Sequence, residues 1–161
     1  EAEITLEANP KTVTAENLNK YIEYGVNRFS LGLQSIHENE LKLLGRIHNY
    51  QDFLDTYNLI RSHGIDNINV DLMYGIPEQT EESFKATLEE IIALSPEHIS
   101  AYGLKIEEET RFYKERDSLS FPDDDTCAEF YELCCERFAE KQTDTIYNRR
   151  NRILRLEIQS Q

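Results

Sequence analysis

Residues 66–80 read D-N-I-N-V-D-L-M-Y-G-I-P-E-Q-T, and the pattern of this stretch decides the fold. Ile68, Val70, Leu72 and Tyr74 alternate with Asn67, Asn69, Asp71 and Met73, the period of two that a β-strand imposes on its side chains. Gly75, Ile76 and Pro77 end the run, and Thr80 stands where it can cap a following helix. A strand feeding a helix is expected. Asp71 is the odd member, because a carboxylate in an apolar strand needs a partner or a ligand if the strand is buried. It marks either a site or a side chain satisfied by its neighbours.

The same alternation recurs on both sides. Glu3 to Ala8 gives a strand stopped by Asn9-Pro10, and Thr14 caps a helix that places Leu18, Tyr21 and Ile22 on one face before Gly25 ends it. Arg28 to Gln34 is a second strand through Phe29, Leu31 and Leu33, followed by a short helix over Glu38 to Leu44 and a break at Gly45-Arg46. Gln51 to His63 carries Phe53, Leu54, Tyr57 and Ile60 at helical spacing. After the stretch quoted above, a helix from Thr80 presents Phe84, Leu88, Ile91 and Ile92, and His98 to Leu104 forms a fourth strand. Cys127, Phe130, Tyr131, Cys134 and Phe138 then share one stripe of a last helix. Strands alternating with amphipathic helices define an α/β class with a parallel sheet.

Charge and size narrow the possibilities. The chain has 161 residues and a formal net charge of -14, a surface that repels phosphate backbones and anionic lipid. Nucleic-acid and membrane-surface partners are disfavoured. No apolar run reaches the roughly 20 residues of a membrane helix, and three cysteines crowded into one segment suggest no disulfide framework, so a cytoplasmic setting is expected. None of the four histidines forms a metal-binding pair, and His63 in the last turn of a helix suits the helix dipole. A complete (βα) barrel takes about 250 residues, so a barrel reading makes this chain a partial one. Residues 1–140 hold 12 basic and 29 acidic side chains against 5 and 2 in residues 141–161. That basic tail has no amphipathic face and reads as solvated, or as the product of a frameshift near Lys141.

In parallel sheets and barrels, chemistry gathers at the carboxyl ends of the strands. The polar residues expected there are Glu7, Gln34 and Asp71, with Lys105 just after the fourth strand and Arg46 between the second and third. Carboxylates, an amide and cations at one rim suit a polar small molecule.

The motifs E-A-N-P (7–10), G-V-N-R-F-S-L-G-L-Q-S (25–35), L-G-R-I-H (44–48) and N-I-N-V-D-L-M-Y-G-I-P-E-Q-T (67–80) resemble, in order and at family spacing, the radical S-adenosylmethionine (SAM) family of oxygen-independent coproporphyrinogen III oxidases and their haem-chaperone relatives. H-I-S-A-Y-G-L-K-I-E-E-E-T (98–110) and F-P-D-D-D (121–125) look more like the haem-chaperone, or HemW-type, branch. The resemblance covers residues 1 to about 140. It implies a partial radical SAM barrel over residues 1–115, with residues 116–140 opening the family's C-terminal region. It further implies that Glu7, Gln34, Arg46 and Asp71 contact SAM and that Lys105 borders the nucleoside, and it leaves haem, porphyrinogen or neither open as a further ligand. An ordinary structural role stays open for each residue: a turn for Glu7, a cap for Gln34, a surface charge for Arg46, a satisfied strand position for Asp71.

The departures are equally specific. The family's 4Fe-4S cluster sits on a Cys-x3-Cys-x2-Cys loop after the first strand, and its glycine-rich SAM segment follows the second. This chain has neither, and the spacing of Cys127, Cys134 and Cys135 on a helix does not replace the loop. The expectation is a fragment without the first two βα units, catalytically silent alone. The competing expectation is a cluster-free (βα) barrel enzyme or a small-molecule binding module.

Overall fold

A computed structural model describes residues 2–140; the basic segment 141–161, and the frameshift reading of it, lie outside the described residues. Four strands, β1 (Thr5–Ala8), β2 (Arg28–Gln34), β3 (Ile68–Tyr74) and β4 (His98–Gly103), form one sheet in the order β1-β2-β3-β4, and every neighbouring pair is parallel. Between them lie α1 (Ala15–Glu23), α2 (Glu38–Leu43), α3 (Tyr50–Ser62) and α4 (Glu81–Ala93), and after β4 come α5 (Arg111–Glu115) and α6 (Asp124–Glu140). A sequential strand order means that the chain never reverses direction across the sheet. Right-handed crossovers then place successive helices on one face, the arrangement of a barrel wall.

Local chemistry sets the helix boundaries. Thr14, Asn49 and Thr80 each accept a hydrogen bond from the backbone N–H three residues on, and Asn17, Asp52 and Ser83 reciprocate to the cap's own N–H. At the other end, α1 and α2 stop where Gly25 (φ 89°) and Gly45 (φ 69°) enter the left-handed region, which lets the N–H of Val26 reach the carbonyl of Tyr21 and that of Arg46 reach Leu41. The chain therefore leaves α2 at a defined angle. The short helix α5, capped by Thr110, was not foreseen, since five residues carry too little periodicity to register.

The core lies between the sheet and the helices. Phe29, Leu31 and Leu33 of β2 and Ile68, Val70, Leu72 and Tyr74 of β3 join Leu18, Phe53, Ile60, Phe84 and Leu88 of the helices in one apolar cluster. Helix α6 belongs to the same cluster, where Phe130 packs against Phe84 at 5.2 Å between ring centroids and edge-on to Tyr74 at 6.5 Å. The predicted stripe of α6 is therefore a core face. Fully burying a Phe of this kind stabilises by roughly 1.5–3 kcal/mol.

The opposite face of the sheet is polar. Alternation turns Ser30, Asn69, Asp71 and Ser100 away from the helices, and parallel register sets Glu7 beside Ser30, Ser30 beside Asn69, and Asp71 between Gly32 and Ser100.

Candidate functional site

The polar face is wired by hydrogen bonds. Ser30 Oγ donates to Asp71 Oδ2 at 3.0 Å, and Asn69 Nδ2 reaches both Ser30 Oγ and Asp71 Oδ1 at 2.8 Å. Ser100 Oγ in turn donates to Asn69 Oδ1 at 2.9 Å. Three adjacent strands thus converge on one half-buried carboxylate. Burial pushes the Asp71 carboxyl above its ordinary range and the charge of Glu7 adds to the push, while the donors Ser30 and Asn69 and the charge of Arg28 pull it down. Asp71 is thus partnered within the sheet, and it still shows part of its surface to the polar side.

At the carboxyl end of β2 the strand changes course. The β2–β3 register shifts between Gly32 and Gln34, and Gln34 is held at φ 75°, a left-handed conformation that costs a non-glycine residue energy. A β-bulge of this kind re-aims a side chain at a strand end. Gly32 is part of the same device, because a Cβ there would stand 3.0 Å from Gln34 Nε2 and 3.4 Å from Asn9 Oδ1. The missing side chain leaves room where three strands approach.

Arg46 closes this corner. Delivered by the Gly45 turn after α2, it donates from Nη1 to Asn9 Oδ1 at 2.8 Å. Asn9 belongs to the turn that ends β1, two residues beyond Glu7, so the E-A-N-P motif and the L-G-R-I-H motif meet in space. Glu7 itself is exposed on the edge strand β1, beside Ser30. Lys105 is also exposed and pairs with Glu107 at 2.6 Å in the loop after β4. The structure therefore places Glu7 and Asp71 on the polar face of the sheet, Gln34 at the carboxyl end of β2 and Arg46 against Asn9 beyond β1, and gives Lys105 an acidic neighbour of its own.

Sequence reasoning passed over Asn9, Ser30, Asn69 and Ser100. Asn9 lay inside a quoted motif and could have been read from it. The other three become meaningful only once register is known, because their polarity alone fits any wet strand.

Cys134 is buried in the apolar cluster of α6, and burial holds its thiol far above the ordinary range, the reverse of what a cluster ligand requires. Among the described residues, no group of three or more His, Cys, Asp or Glu side chains could hold a metal ion. His63 donates from Nδ1 to the Leu59 carbonyl at 2.8 Å at the end of α3, and buried His48 donates from Nε2 to the Leu33 carbonyl at 3.2 Å. The opposite end of the sheet holds a cleft of about 460 Å³ lined by Glu3, Asn27, Asp66, Asn67, Glu97 and His98. It sits at the amino ends of the strands, where this architecture puts stability rather than chemistry.

Four parallel strands in sequential order, with helices on one face and polar side chains on the other, describe an arc of a (βα) barrel. The model of the radical SAM superfamily matches residues 1–91, and the chain belongs to that superfamily. It is 45% identical over 130 residues to the heme chaperone HemW of Haemophilus influenzae, covering 81% of this chain and 33% of that protein. To HemW of Escherichia coli it is 43% identical over 132 residues, covering 82% and 34%. Among solved structures, the radical SAM enzyme coproporphyrinogen III oxidase (HemN) of Escherichia coli superposes with a TM-score of 0.72 at 28% identity, over 89% of this chain and 33% of that one. The chain spans about a third of the length of these relatives. Among the described residues, no helix is long and apolar enough to cross a membrane.

Proposed function

We propose that this chain is part of a HemW-type radical SAM protein and supplies side chains that hold SAM. In this reading residues 1–115 are a section of the barrel, and residues 116–140 are the connection and first helix of the following region. One observation supports it: the E-A-N-P and L-G-R-I-H motifs meet through the Arg46–Asn9 hydrogen bond beside Gly32 and Gln34 at the end of β2, and Asp71 lies opposite Gly32 on the neighbouring strand.

The residues present fit the polar parts of SAM. Glu7 and Asp71 accept from sugar hydroxyls or an ammonium, Arg46 can fork onto a carboxylate, and Gln34 both donates and accepts. With no side chain of its own, Gly32 lets the Gln34 amide and the Asn9 side chain lie close to the β2 backbone. Lys105 borders the same ligand from the loop after β4. The residues do not fit a 4Fe-4S cluster, for the reasons given for Cys134, so the cluster that SAM chemistry uses in this superfamily falls to residues outside this chain. Bound with such a cluster, SAM supplies one-electron chemistry; this chain's part is to bind and orient it.

The heme chaperones at 43–45% identity favour haem as the second ligand over the porphyrinogen of the more distant HemN likeness. The net charge of -14 disfavours nucleic acid. The test is a titration of SAM into reconstituted protein that carries this segment at the full length of the relatives, beside a Gln34→Ala, Arg46→Ala variant. Saturable binding weakened in the variant is expected, and equal binding by both would overturn the reading.

A further inference from the structure

Glu40 is the one carboxylate among the described residues that is almost wholly buried, with 1% of its surface exposed. It sits on α2, where Glu38 and Lys42 form an ordinary exposed pair. Its two recorded donors are neutral: Ser83 Oγ at 2.7 Å and Gln79 Nε2 at 3.0 Å. A buried carboxylate without a cation is costly to maintain, and apolar packing between two helices would serve stability better.

What the carboxylate holds explains the cost. Gln79 uses its other end to accept from the N–H of Gly75 at 2.8 Å and of Ile76 at 3.4 Å, and its amide also reaches the Met73 carbonyl. Gln79 thereby fixes the turn leaving β3, which begins four residues beyond Asp71. Ser83 occupies the capping box of α4, accepting from Thr80 N at 3.1 Å while its hydroxyl proton goes to Glu40. His37, at the amino end of α2, donates to the Ser83 carbonyl at 3.0 Å and ties the same elements a second time.

On its other side, α2 is locked to Arg46. Leu41 is buried beside Glu40, and its carbonyl accepts from the Arg46 N–H at 2.9 Å through the Gly45 turn. The place of α2 thus bears on the Arg46–Asn9 contact. Glu40 is therefore the joint between the β3 rim, where Asp71 lies, and the segment that delivers Arg46.

We propose that Glu40 is a positioning residue: through Gln79 and Ser83 it sets the distance between the Arg46 and Asp71 sides of the ligand rim, and it acts on SAM through Arg46 without touching it. This rests on the SAM reading above. The test is a double-mutant cycle on the reconstituted full-length protein, using SAM titration together with thermal melts. Glu40→Gln keeps the side-chain volume but turns an acceptor into a donor, and it should weaken SAM binding about tenfold. In an Arg46→Ala background the same change should cost less than about twofold, because the group it positions is gone. Gln79→Ala breaks the joint at its other end and should reproduce both results, which keeps the proposal testable if Glu40→Gln does not fold. Equal losses in the two backgrounds, or unchanged SAM affinity beside a lowered melting temperature, would reduce Glu40 to a support of the fold. Absence of SAM binding by the wild type would overturn the site reading and this role with it, whereas binding that falls on Arg46→Ala but not on Glu40→Gln would overturn this role alone.

Discussion

Arg46 donates from Nη1 to Oδ1 of Asn9 at 2.8 Å, joining positions 37 residues apart at the ends of two neighbouring strand units. The contact is exposed, so its contribution to folding is small, and in the SAM reading it holds the guanidinium in place for the ligand. Asn9→Ala should weaken SAM binding by about two- to tenfold, the size of a hydrogen bond of about 0.5–1.5 kcal/mol. The melting temperature should hardly move. Paired SAM titration and thermal denaturation check both; a large fall in melting temperature without loss of affinity would contradict the assignment.

His48 gives a pH dependence with a definite sign. Burial is the largest influence on its imidazole and favours the neutral form, with the hydrogen bond to the Leu33 carbonyl pulling the other way and the net effect downward. A histidine whose folded value lies below its unfolded one binds fewer protons folded than unfolded. Its stabilisation is present above an ordinary histidine value of about 6.5 and is lost as pH falls through it. Denaturation midpoints should therefore drop between pH 8 and 5.5 in the wild type and drop less in His48→Gln, which keeps a donor for Leu33. Parallel pH curves would contradict this.

Core and cap should separate by magnitude. Phe84 is fully buried against Tyr74 and Phe130, and Phe84→Ala should cost about 3–5 kcal/mol. Thr80→Ala removes the acceptor for the Ser83 N–H at the start of the same helix and should cost about 1 kcal/mol. Urea unfolding of the two variants would reverse this order if α4 were held by its cap rather than by its face.

The outer edge of β1 is unpaired within the sheet, and the strand is short, with Thr5 and Glu7 exposed and Leu6 and Ala8 half-buried against the core. Open edges of this kind template further pairing. The isolated chain should associate as its concentration rises, which sedimentation velocity would detect. A monomer with a melt independent of concentration would show that the edge is adequately protected.

Much of this was legible in the sequence, for identifiable reasons. The run from Ile68 to Tyr74 kept strict alternation because one face of β3 is core and the other polar, and Thr14, Thr80 and Gly25 marked helix ends by chemistry that needs no tertiary context. The rim residues could be named because strand ends are predictable once strands are. What stayed hidden depended on register. Ser30, Asn69 and Ser100 are ordinary polar residues until three strands align them on Asp71, and Glu40 looked like any acid of a surface helix until α4 and the Gly75 turn were packed over it. Asp71 has hydrogen-bond partners within the sheet and stays half-buried.

Asp71 carries the most direct test. If the rim holds SAM, Asp71→Ala should remove a charge-assisted hydrogen bond worth about 1.5–3 kcal/mol and weaken SAM binding by more than tenfold. The measurement is a SAM titration with thermal melts recorded on the same samples, on wild type and Asp71→Ala of the reconstituted full-length protein. The account predicts a lost or strongly weakened isotherm beside a folded variant. Unchanged SAM affinity beside a lowered melting temperature would contradict it, leaving Asp71 as the centre of a structural network and removing support from Glu7, Gln34 and Arg46 as well.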